Sequence, residues 1–367
     1  MKPIQVLMLA PNAGVRGPIP GITAVLAEEL AAIGCDVEIA SWGCRSDGES
    51  LFGKLIGRPR DLARVGRRIS RGDVDIVYVH TSHEWRSLAR DLPLLALAQT
   101  LGTPVVVQLH GGWSTWLVHP GHRFFKLASH LLFRLSDAAL VLSLEALRDS
   151  QRFYSAGAFY AVKQPILRSF EVVRPSAKPR READRRGPLL LFLGRLIPEK
   201  GIFETLEALA LLREQIACRL LIVGDGACVE GVAARIGALG LEEHVHLAGY
   251  LTGESVIEAY READVFVLPT RHPEGFAAVI VEAMAAGLPI VTTKRGGHAD
   301  HLREGINALF VPPSSPRPLA EAIRRLLEDP VLRARMAQAN RDRAGEFAPS
   351  VVAREYLTAL EEVLARA

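Results

Sequence analysis

The sequence VFVLPTRHPEGFAAVIVEAMAAGLPIVTT, residues 265–293, decides the fold, because it contains a strand, a loop, a helix and a second strand in that order. The apolar runs 265–268 and 290–293 predict the two strands. Between them, apolar residues recur with helical spacing, which predicts a helix that begins near Phe276 and ends at Gly287. Glu282 lies off the buried stripe of this helix, which is predicted to comprise Phe276, Val279, Ile280, Ala283 and Met284.

The same alternation of short apolar runs and helical patterns extends over the whole chain. Continuous apolar strands of this kind are typical of parallel sheets whose two faces are covered by helices. Further strands are predicted at 4–9, 37–40, 76–80, 105–110, 139–143, 189–193, 220–223, 245–248 and 308–311. Helices are predicted at 22–33, 202–214 and 351–366, among others.

Residues 174–187, RPSAKPRREADRRG, interrupt this alternation, because they are charged, contain two prolines and lack apolar periodicity. They predict a linker between an amino-terminal domain, 1–173, and a carboxy-terminal domain, 188–345. The last residues, 346–367, are expected to form a helix that packs back on the first domain. The predicted fold class is therefore α/β, with two Rossmann-like doubly wound domains that face an interdomain cleft, the default ligand site.

The composition is that of a globular protein. Of the 367 residues, 49% are hydrophobic and 23% are charged, and the net charge of +3 neither requires nor excludes an anionic partner. No run approaches the ~20 apolar residues of a membrane span, and the apolar run at the amino terminus predicts a strand rather than a signal peptide. We therefore expect a cytoplasmic protein, soluble or peripherally bound to a membrane. The cysteines have no metal-finger spacing and are expected to be reduced thiols: Cys35, Cys44, Cys218 and Cys228.

Two glutamates bracket the predicted loop and helix of the opening stretch. Glu274 and Glu282 are eight residues apart, which corresponds to about 12 Å along a regular helix. The two carboxylates of a glycosidase lie within about 10 Å of each other, so this pair is poorly spaced as an acid and a nucleophile. The spacing suits opposite ends of one elongated ligand, and the free N–H groups of the helix start suit a phosphate. Two merely solvated glutamates are the alternative.

The segment GRLIPEKG, residues 194–201, follows a predicted strand and carries two cations, Arg195 and Lys200. Cations at the carboxyl end of a strand suit a diphosphate, whose charge grows when a bond to it breaks. The alternative is a surface loop in which Lys200 pairs with a carboxylate such as Glu199.

The first half of the chain offers weaker candidates. Gly14, Gly17 and Gly21 lie between a predicted strand and a predicted helix, where they would let the backbone approach a ligand or form an ordinary flexible loop. His80 and His110 each end an apolar strand, where open α/β sheets bind ligands. Two glycines follow His110, which favours it as a site residue, whereas a structural role is equally open for His80.

These motifs together resemble a known family. The pattern EGFxxxxxE that ends at Glu282 resembles the E-x7-E signature of glycosyltransferase family 4, and GRLIPEKG resembles the donor-diphosphate loop of that family. Three further segments fit in order: SDAALVLS at 136–143, LLIVGDG at 220–226 and ADVFVLPT at 263–270. The resemblance covers nearly the whole chain. It implies the GT-B fold and a retaining hexosyltransferase that uses a UDP- or GDP-sugar.

The resemblance also implies roles at the donor diphosphate and ribose. Arg195 and Lys200 would neutralise the diphosphate on the loop that Gly194 begins. Glu274 would hold a hydroxyl of the donor sugar, and Glu282 would bind the ribose.

Further residues would surround the transferred group. The backbone of Gly275 and Phe276 would face the phosphate, Gly21 would close on the phosphates, and His110 would line the cleft near the transferred sugar. The leaving phosphate would help to deprotonate the acceptor, so neither a protein nucleophile nor a metal or other cofactor is expected.

Two departures from the family pattern leave the donor sugar open. Pro20-Gly21 stands where the family commonly has a glycine pair, and GGHADHL, residues 296–302, has His298, Ala299 and Asp300 where Ile, Pro and Glu are usual. A GT-B nucleotide-sugar epimerase and a non-catalytic nucleotide-sugar sensor are the alternative functions. Epimeric products, or donor hydrolysis without an acceptor, would favour the epimerase, whereas UDP binding without turnover would favour the sensor.

Three other motifs do not support a site. Asp73-Val74-Asp75 matches the DxD of metal-dependent transferases but precedes a strand, which indicates a turn. His80, His83 and Glu84 lack the HExxH spacing of a zinc site. Gly224-Asp225-Gly226 follows a strand, but Val229 stands at the third glycine position of a dinucleotide fingerprint.

Basic residues gather at 58–71 and in HPGHRFFKLASHLLFR, residues 119–134. The second segment mixes phenylalanine and leucine with cations, as a helix on an anionic membrane surface does, and a buried helix with charged ends is the alternative. A membrane location at the inner face would predict a lipid-linked sugar or an envelope glycan as acceptor. The arginines of 58–71 have no aromatic residues between them, so a nucleic-acid partner is not expected.

Overall fold

The computed structural model describes residues 2–43, 51–112, 114–171, 187–272 and 275–366, with side chains described from Ile56 onward in the stretch that begins at residue 51. The fold class is confirmed as α/β, with two six-stranded sheets. Two compact units share the chain. Unit 1 comprises Met1–Leu167, Pro273–Phe276 and Phe347–Ala367, and unit 2 comprises Arg168–His272 and Ala277–Glu346. The predicted linker, 174–187, lies outside the described residues except for Gly187.

Unit 1 is built on a sheet in the order β2-β1-β3-β4-β5-β6, in which every neighbouring pair is parallel. Its strands are β1 (Ile4–Ala10), β2 (Cys35–Ser41), β3 (Ile76–His83), β4 (Val105–Gly112), β5 (Ala138–Val141) and β6 (Phe159–Ala161). Its helices are α1 (Ile19–Ala32), α2 (Leu51–Ile69), α3 (Trp85–Thr100), α4 (Ser114–Val118), α5 (Arg123–Leu135), α6 (Leu144–Phe153) and the last helix of the chain, α15 (Pro349–Leu364).

Successive side chains of β1 point to opposite faces of this sheet, which places them in two separate cores. Leu7 and Leu9 pack in a cluster with residues of α2, α3 and α5. Val6 and Met8 pack on the other face with residues of α1 and α15. The central strands are therefore apolar on both sides, as the continuous apolar runs of the sequence predict.

Helix α15 is fixed to the sheet of unit 1 by a buried polar chain as well as by apolar contacts. The Tyr78 hydroxyl donates to Oε1 of Gln108 at 2.5 Å, and Nε2 of Gln108 donates to the Tyr356 hydroxyl at 2.6 Å. Tyr356 is fully buried. The hydrogen bonds satisfy polar groups that would otherwise destabilise the interior.

Unit 2 has a parallel sheet in the order β12-β11-β10-β7-β8-β9. Its strands are β7 (Leu189–Leu193), β8 (Arg219–Val223), β9 (Val245–Gly249), β10 (Val265–Leu268), β11 (Ile290–Thr293) and β12 (Ala308–Val311). Its helices are α7 (Arg168–Glu171), α8 (Ile202–Leu212), α9 (Val229–Ala238), α10 (Glu254–Glu262), α11 (Ala278–Ala285), α12 (Gly297–His301), α13 (Pro316–Glu328) and α14 (Pro330–Ala344). Within the described ranges, no helix is both long and apolar enough to cross a bilayer.

The strand order of unit 2 identifies where a ligand would bind. The chain runs outward from β7 in one direction through β8 and β9, and in the other through β10, β11 and β12. The carboxyl ends of β7 and β10 therefore flank a topological switch point, where open parallel sheets leave a crevice for ligands.

The start of α1 differs from the sequence prediction. This helix begins at Ile19 rather than near Ile22, and it has a proline in its first turn. Proline is favoured there because its fixed φ is already helical and its missing N–H has no partner to lose. Gly21 therefore lies in the first helical turn, not in a loop.

The start of α11 also differs from the prediction. The helix begins at Ala278 rather than near Phe276, because Ala277 has an extended backbone with φ −67° and ψ 125°. It thus covers only the second half of the segment 274–282. The separation of about 12 Å, which assumes a regular helix between the two glutamates, does not apply.

The Asp73-Val74-Asp75 motif serves the sheet of unit 1. Asp73 forms an ion pair with Arg68, and Oδ2 of Asp75 accepts the backbone N–H of Gln5 at 2.8 Å. The two carboxylates therefore bind the end of α2 and the strand β1.

Gly224 is required where the loops after β7 and β8 meet. Its φ is +147°, and a Cβ placed there would overlap the carbonyl oxygen of Gly194. The Gly194 N–H donates to Val223 at 3.0 Å, so the two backbones cannot separate without losing a hydrogen bond. The glycines of 224–226 thus serve close backbone packing.

We predict that Gly224→Ala lowers the free energy of unfolding by at least about 2 kcal/mol, because backbone atoms must move and the φ is strained. Thermal unfolding of the full chain measures the effect. Gly231→Ala in α9 is the control, because its new Cβ would meet a Phe203 ring atom at an ordinary 3.6 Å. That control should be neutral or more stable by about 0.5–1 kcal/mol. Equal melting temperatures for the two variants would contradict the assignment.

Candidate functional site

The loops after β7 and β10 are joined by hydrogen bonds at the switch point of unit 2. The carbonyl oxygen of Glu199, in the 3₁₀ turn Pro198–Lys200, accepts the N–H of Arg271 at 2.8 Å and that of His272 at 3.1 Å. It also accepts the Thr270 hydroxyl at 3.1 Å. Gly201 has φ +81°, and a Cβ there would overlap the Pro269 carbonyl. The two loops therefore form one rigid assembly.

Both predicted cations belong to this assembly, but in different environments. Arg195 is exposed, whereas Lys200 is buried, with 8% of its surface accessible. The burial of Lys200 disagrees with the surface-loop alternative. An ammonium in the interior acts through a lower effective dielectric than one in solvent, which strengthens its attraction for an anion.

Threonines at the ends of β10 and β11 complete the support of the β10 loop. The Thr292 hydroxyl donates to the Leu268 carbonyl at 2.7 Å, and the Thr293 hydroxyl donates to the Thr270 carbonyl. The ring of His298, in α12, is buried with Nδ1 3.1 Å from the Thr292 hydroxyl. The sequence analysis named His298 only as a departure from the family pattern and missed the threonines, although hydroxyls at the ends of the runs LPT and VTT were a usable signal.

Glu282 is buried, which corrects the prediction that it lies off the buried side of α11. Its exposed fraction is 9%, and its Oε2 accepts the Tyr260 hydroxyl at 2.8 Å. Periodicity failed here because α10, which carries Tyr260, covers this side of α11. Val279, predicted to be buried, is only partly buried.

Burial raises the pKa of Glu282 to about 7, and the hydrogen bond from Tyr260 partly opposes that rise. Tyr260 is itself fully buried between two aromatic rings. Phe170 packs edge-on at 5.3 Å between ring centroids, and Phe266 stacks at 5.9 Å. The carboxyl group is thus bound by a tyrosine whose ring is packed on two sides.

Gly275 and Phe276 belong to unit 1 by compactness. A Cβ on Gly275 would overlap the side chain of Leu142. The Phe276 ring is buried, 5.4 Å from the ring of Phe347. The ring of Phe276 is therefore not accessible to a ligand. Glu274 lies outside the described residues.

His80 and His110 form a direct pair near the carboxyl ends of β3 and β4, although each strand continues past its histidine, to His83 and Gly112, and does not end there as the sequence predicts. Nδ1 of His80 lies 2.7 Å from Nε2 of His110, so one ring donates and the other accepts. Burial lowers the pKa of His110 to about 4, opposed by a hydrogen bond with Gln164. Burial and the neighbouring His110 lower the pKa of His80 well below its usual value. At neutral pH both rings are uncharged, and His80 fixes the orientation of His110.

The two remaining glycine candidates differ in what their backbones offer. Gly21, in the first turn of α1, has an N–H that the helix itself leaves without an intrahelical partner. Its Cα is tightly packed, because a Cβ would come 3.0 Å from the Leu167 side chain. The N–H of Gly194 is already donated to Val223, so this group is not available to a ligand.

Family comparisons cover most of the chain. Residues 173–343 match the model described as glycosyl transferases group 1, and residues 22–157 match the model described as glycosyltransferase family 4. The alpha-D-kanosaminyltransferase of Streptomyces kanamyceticus is 30% identical over 79% of this chain and 75% of its own length. The phosphatidyl-myo-inositol mannosyltransferase of Mycobacterium leprae is 31% identical over 83% of this chain and 78% of its own length.

Solved structures share the fold at low sequence identity. HepE of Anabaena in complex with UDP has a TM-score of 0.76 at 18% identity and covers 98% of this chain and 100% of its own. Sucrose-phosphate synthase of Thermosynechococcus elongatus has a TM-score of 0.77 at 18% identity, with 99% and 100% covered.

The raised pKa of Glu282 predicts a stability that depends on pH. Its folded-state pKa of about 7 lies above the ordinary 4.5, so its contribution to stability is full below pH 4.5 and is lost as the pH rises through 7. Glu282→Gln should therefore be more stable than the wild type at pH 8.5, by up to about 3 kcal/mol. The difference should disappear by pH 4.5.

Thermal unfolding of both proteins across this pH range measures the difference. Glu243→Gln is the control for the substitution itself, because it makes the same change at an exposed position. A stability difference for Glu282→Gln that stays constant with pH would contradict the assignment.

Proposed function

Because the chain is a glycosyltransferase of family 4, we propose that it transfers a hexose from a UDP- or GDP-sugar to a glycan or lipid-linked acceptor, with retention of anomeric configuration. The supporting observation is the hydrogen-bonded assembly at the switch point of unit 2. It holds Arg195 and Lys200 beside the loop that leads to α11 and the buried Glu282. Cations, a helix start and a fixed carboxyl group suit one elongated nucleoside diphosphate.

In the proposed reaction, Arg195 and Lys200 stabilise the diphosphate while the bond between the anomeric carbon and its phosphate oxygen breaks. The electron pair of that bond leaves with the phosphate. The acceptor hydroxyl attacks from the same face of the sugar, and its proton passes to the leaving phosphate oxygen. No protein nucleophile, metal ion or other cofactor takes part in this scheme.

The other site residues position the donor. Glu282, in its ionised form, accepts hydrogen bonds from the ribose hydroxyls, and Glu274 binds a hydroxyl of the donor sugar. The backbone of Gly275 and Phe276 faces the phosphate. In unit 1, His110 lines the sugar pocket, and Gly21 offers its N–H to the phosphates.

Two relatives support the substrate classes. The name of the Mycobacterium leprae relative combines phosphatidyl-myo-inositol with mannosyl transfer, which favours a lipid-linked acceptor and a site of action at the inner face of a membrane. The related Anabaena structure contains UDP, whereas a Mycolicibacterium smegmatis relative is named as GDP-mannose-dependent. The donor therefore remains within the UDP- and GDP-sugars.

A panel of nucleotide sugars tested by thermal shift identifies the donor, because a bound ligand raises the apparent melting temperature. Nuclear magnetic resonance of the product made from that donor then gives the anomeric configuration. An inverted product would overturn the retaining mechanism. Conversion of the donor to its epimer would establish the epimerase instead, and a thermal shift without any turnover would establish the sensor.

We predict that Lys200→Ala lowers the transfer rate by at least ~10²-fold, the scale of one lost electrostatic contact in a transition state. Initial rates at saturating donor measure the loss. Lys163→Ala is the control, because Lys163 pairs with Glu355 in unit 1 at 2.7 Å, and it should retain near wild-type rates. A near-normal rate for Lys200→Ala would remove the diphosphate assignment.

A further inference from the structure

Helix α5 is apolar on two sides, only one of which is buried. Phe125, Ser129, Leu132 and Phe133 face the core of unit 1. On the other side, the exposed fractions are 80% for Phe124, 59% for Leu127 and 37% for Leu131. The interpretation of residues 119–134 as a buried helix with charged ends is therefore correct for one side of α5 only.

The exposed side of α5 carries two adjacent stripes. At about 100° per residue, Leu127, Leu131 and Phe124 fall within about 60° of one another around the helix. Beside them, within about 80°, lie the basic residues Lys126, His130, Arg123 and Arg134. An apolar stripe flanked by cations along a convex helix is typical of elements that lie in a lipid interface.

The neighbouring helix α3 continues this surface, and its one acidic residue, Asp91, is fully buried, although the exposed Glu84 directly precedes the helix. Its first residue, Trp85, is 48% exposed, with its ring 5.8 Å from that of Phe125. The exposed positions along its length include the uncharged Ala89, Pro93 and Ala96. The sequence from 92 to 136, which contains most of α3 and the whole of α5, has no aspartate or glutamate.

Helix α2 adds cations on the same side of the sheet, because residues of α2, α3 and α5 share one core cluster. Arg60, Arg64 and Arg67 are exposed, whereas the one acidic residue of this helix, Asp61, is buried and pairs with Arg64 at 3.1 Å. A cavity of about 500 Å³ beside the edge strand β2 is lined by four arginines, Arg64, Arg67, Arg68 and Arg71, and by one acidic residue, Glu38, which pairs with Arg68 at 2.6 Å.

We propose that this face of unit 1, formed by the exposed sides of α2, α3 and α5, docks on the surface of an anionic lipid bilayer. The arginines and Lys126 contact the phosphate headgroups, each worth about a fivefold gain in partitioning. Phe124, Leu127, Leu131 and Trp85 enter the interface between headgroups and acyl chains.

A bilayer fits this face better than a second copy of the chain does. A symmetric dimer places the same patch on both subunits, so the cations of α2 and α5 would meet their own copies across the interface. A bilayer supplies negative charge and accepts convex apolar side chains without a complementary groove.

The position of this face also suits the proposed transfer to a lipid-linked acceptor. This part of the argument rests on the proposed function. The chain leaves β4 just after His110 and reaches the first residue of α5, Arg123, eleven residues after the end of that strand. Phe124, the second residue of α5, thus lies on the side of the carboxyl ends of the strands. A lipid-linked acceptor held in the bilayer would meet unit 1 at that end.

Flotation of the full chain with vesicles tests the docking in the absence of any nucleotide. We expect binding to phosphatidylcholine vesicles that contain phosphatidylglycerol, weakening as salt is added, and far weaker binding to vesicles of phosphatidylcholine alone. The combined variant Phe124→Ser, Leu127→Ser and Leu131→Ser should lose at least tenfold in partitioning. The combined variant Arg123→Glu, Lys126→Glu and Arg134→Glu should lose at least ~10²-fold.

Matched controls change exposed residues of unit 2. The apolar control combines Leu211→Ser, Ile306→Ser and Val331→Ser, and the charge control combines Arg317→Glu, Arg325→Glu and Arg335→Glu. Both should bind vesicles as the wild type does. The UDP- or GDP-induced thermal shift should be unchanged in all four variants, which verifies that each remains folded.

The proposal would be overturned by α5 variants that bind like the wild type, by equal losses in the unit 2 controls, or by a wild-type dimer that the α5 variants dissociate in light scattering. A wild type that ignores anionic vesicles but keeps its nucleotide-induced shift refutes the docking and leaves the transferase function intact. Vesicle binding by a wild type that shows neither a nucleotide-induced shift nor turnover supports the docking and refutes the transferase function.

Discussion

The candidate site of unit 2 depends on one backbone oxygen, the carbonyl of Glu199, which accepts two N–H groups and one hydroxyl from the loop after β10. A strand order that diverges at β7 and β10 leaves a crevice, but it does not by itself hold the loops on either side of that crevice. The carbonyl of Glu199 supplies that constraint. Gly201 allows the close approach because it carries no side chain to collide with Pro269. Donors and cations held in this way need no reorganisation when charge develops on a ligand, which is the condition for electrostatic catalysis.

Each unit also contains a buried pair of ionisable side chains. The pair lowers the stability of the fold but fixes the position of one of its members. Tyr260 fixes Glu282 in unit 2, and His80 fixes His110 in unit 1. In each pair burial opposes the charged form of the group, since it raises the pKa of the glutamate and lowers the pKa of both histidines. A well-packed apolar pair would stabilise either interior more. Buried polar pairs with shifted pKa values, near the carboxyl ends of strands or on a helix beside a crevice, are typical of functional sites.

The sequence predicted what depends on local pattern and missed what depends on tertiary contact. Runs of apolar residues located the long strands, whereas β6, only three residues long, was too short to give a pattern. The burial of Glu282 was predicted wrongly because helical periodicity describes only the helix itself, whereas here the side of α11 is covered by α10. The contact of His80 with His110 joins two strands that only the register of the sheet brings together. The roles of the site residues stay predictions, and Glu274 lies outside the described residues.

Helix α5 shows why composition alone left two interpretations open. The mixture of phenylalanine, leucine and cations in 119–134 fits a buried helix and an interfacial one equally well, because both need apolar side chains. The structure separates these side chains by direction, so that Phe125 and Phe133 fill the core whereas Phe124 and Leu127 project into solvent. Side chains that already complete a core do not require further apolar neighbours on the opposite side. The exposed stripe therefore adds nothing to the folding of unit 1 that small polar residues would not, and it forgoes about 25 cal/mol for each Å² of apolar surface left in water. That loss is recovered only when the stripe meets an apolar phase, and the exposed cations beside the stripe favour an apolar phase whose surface carries negative charge.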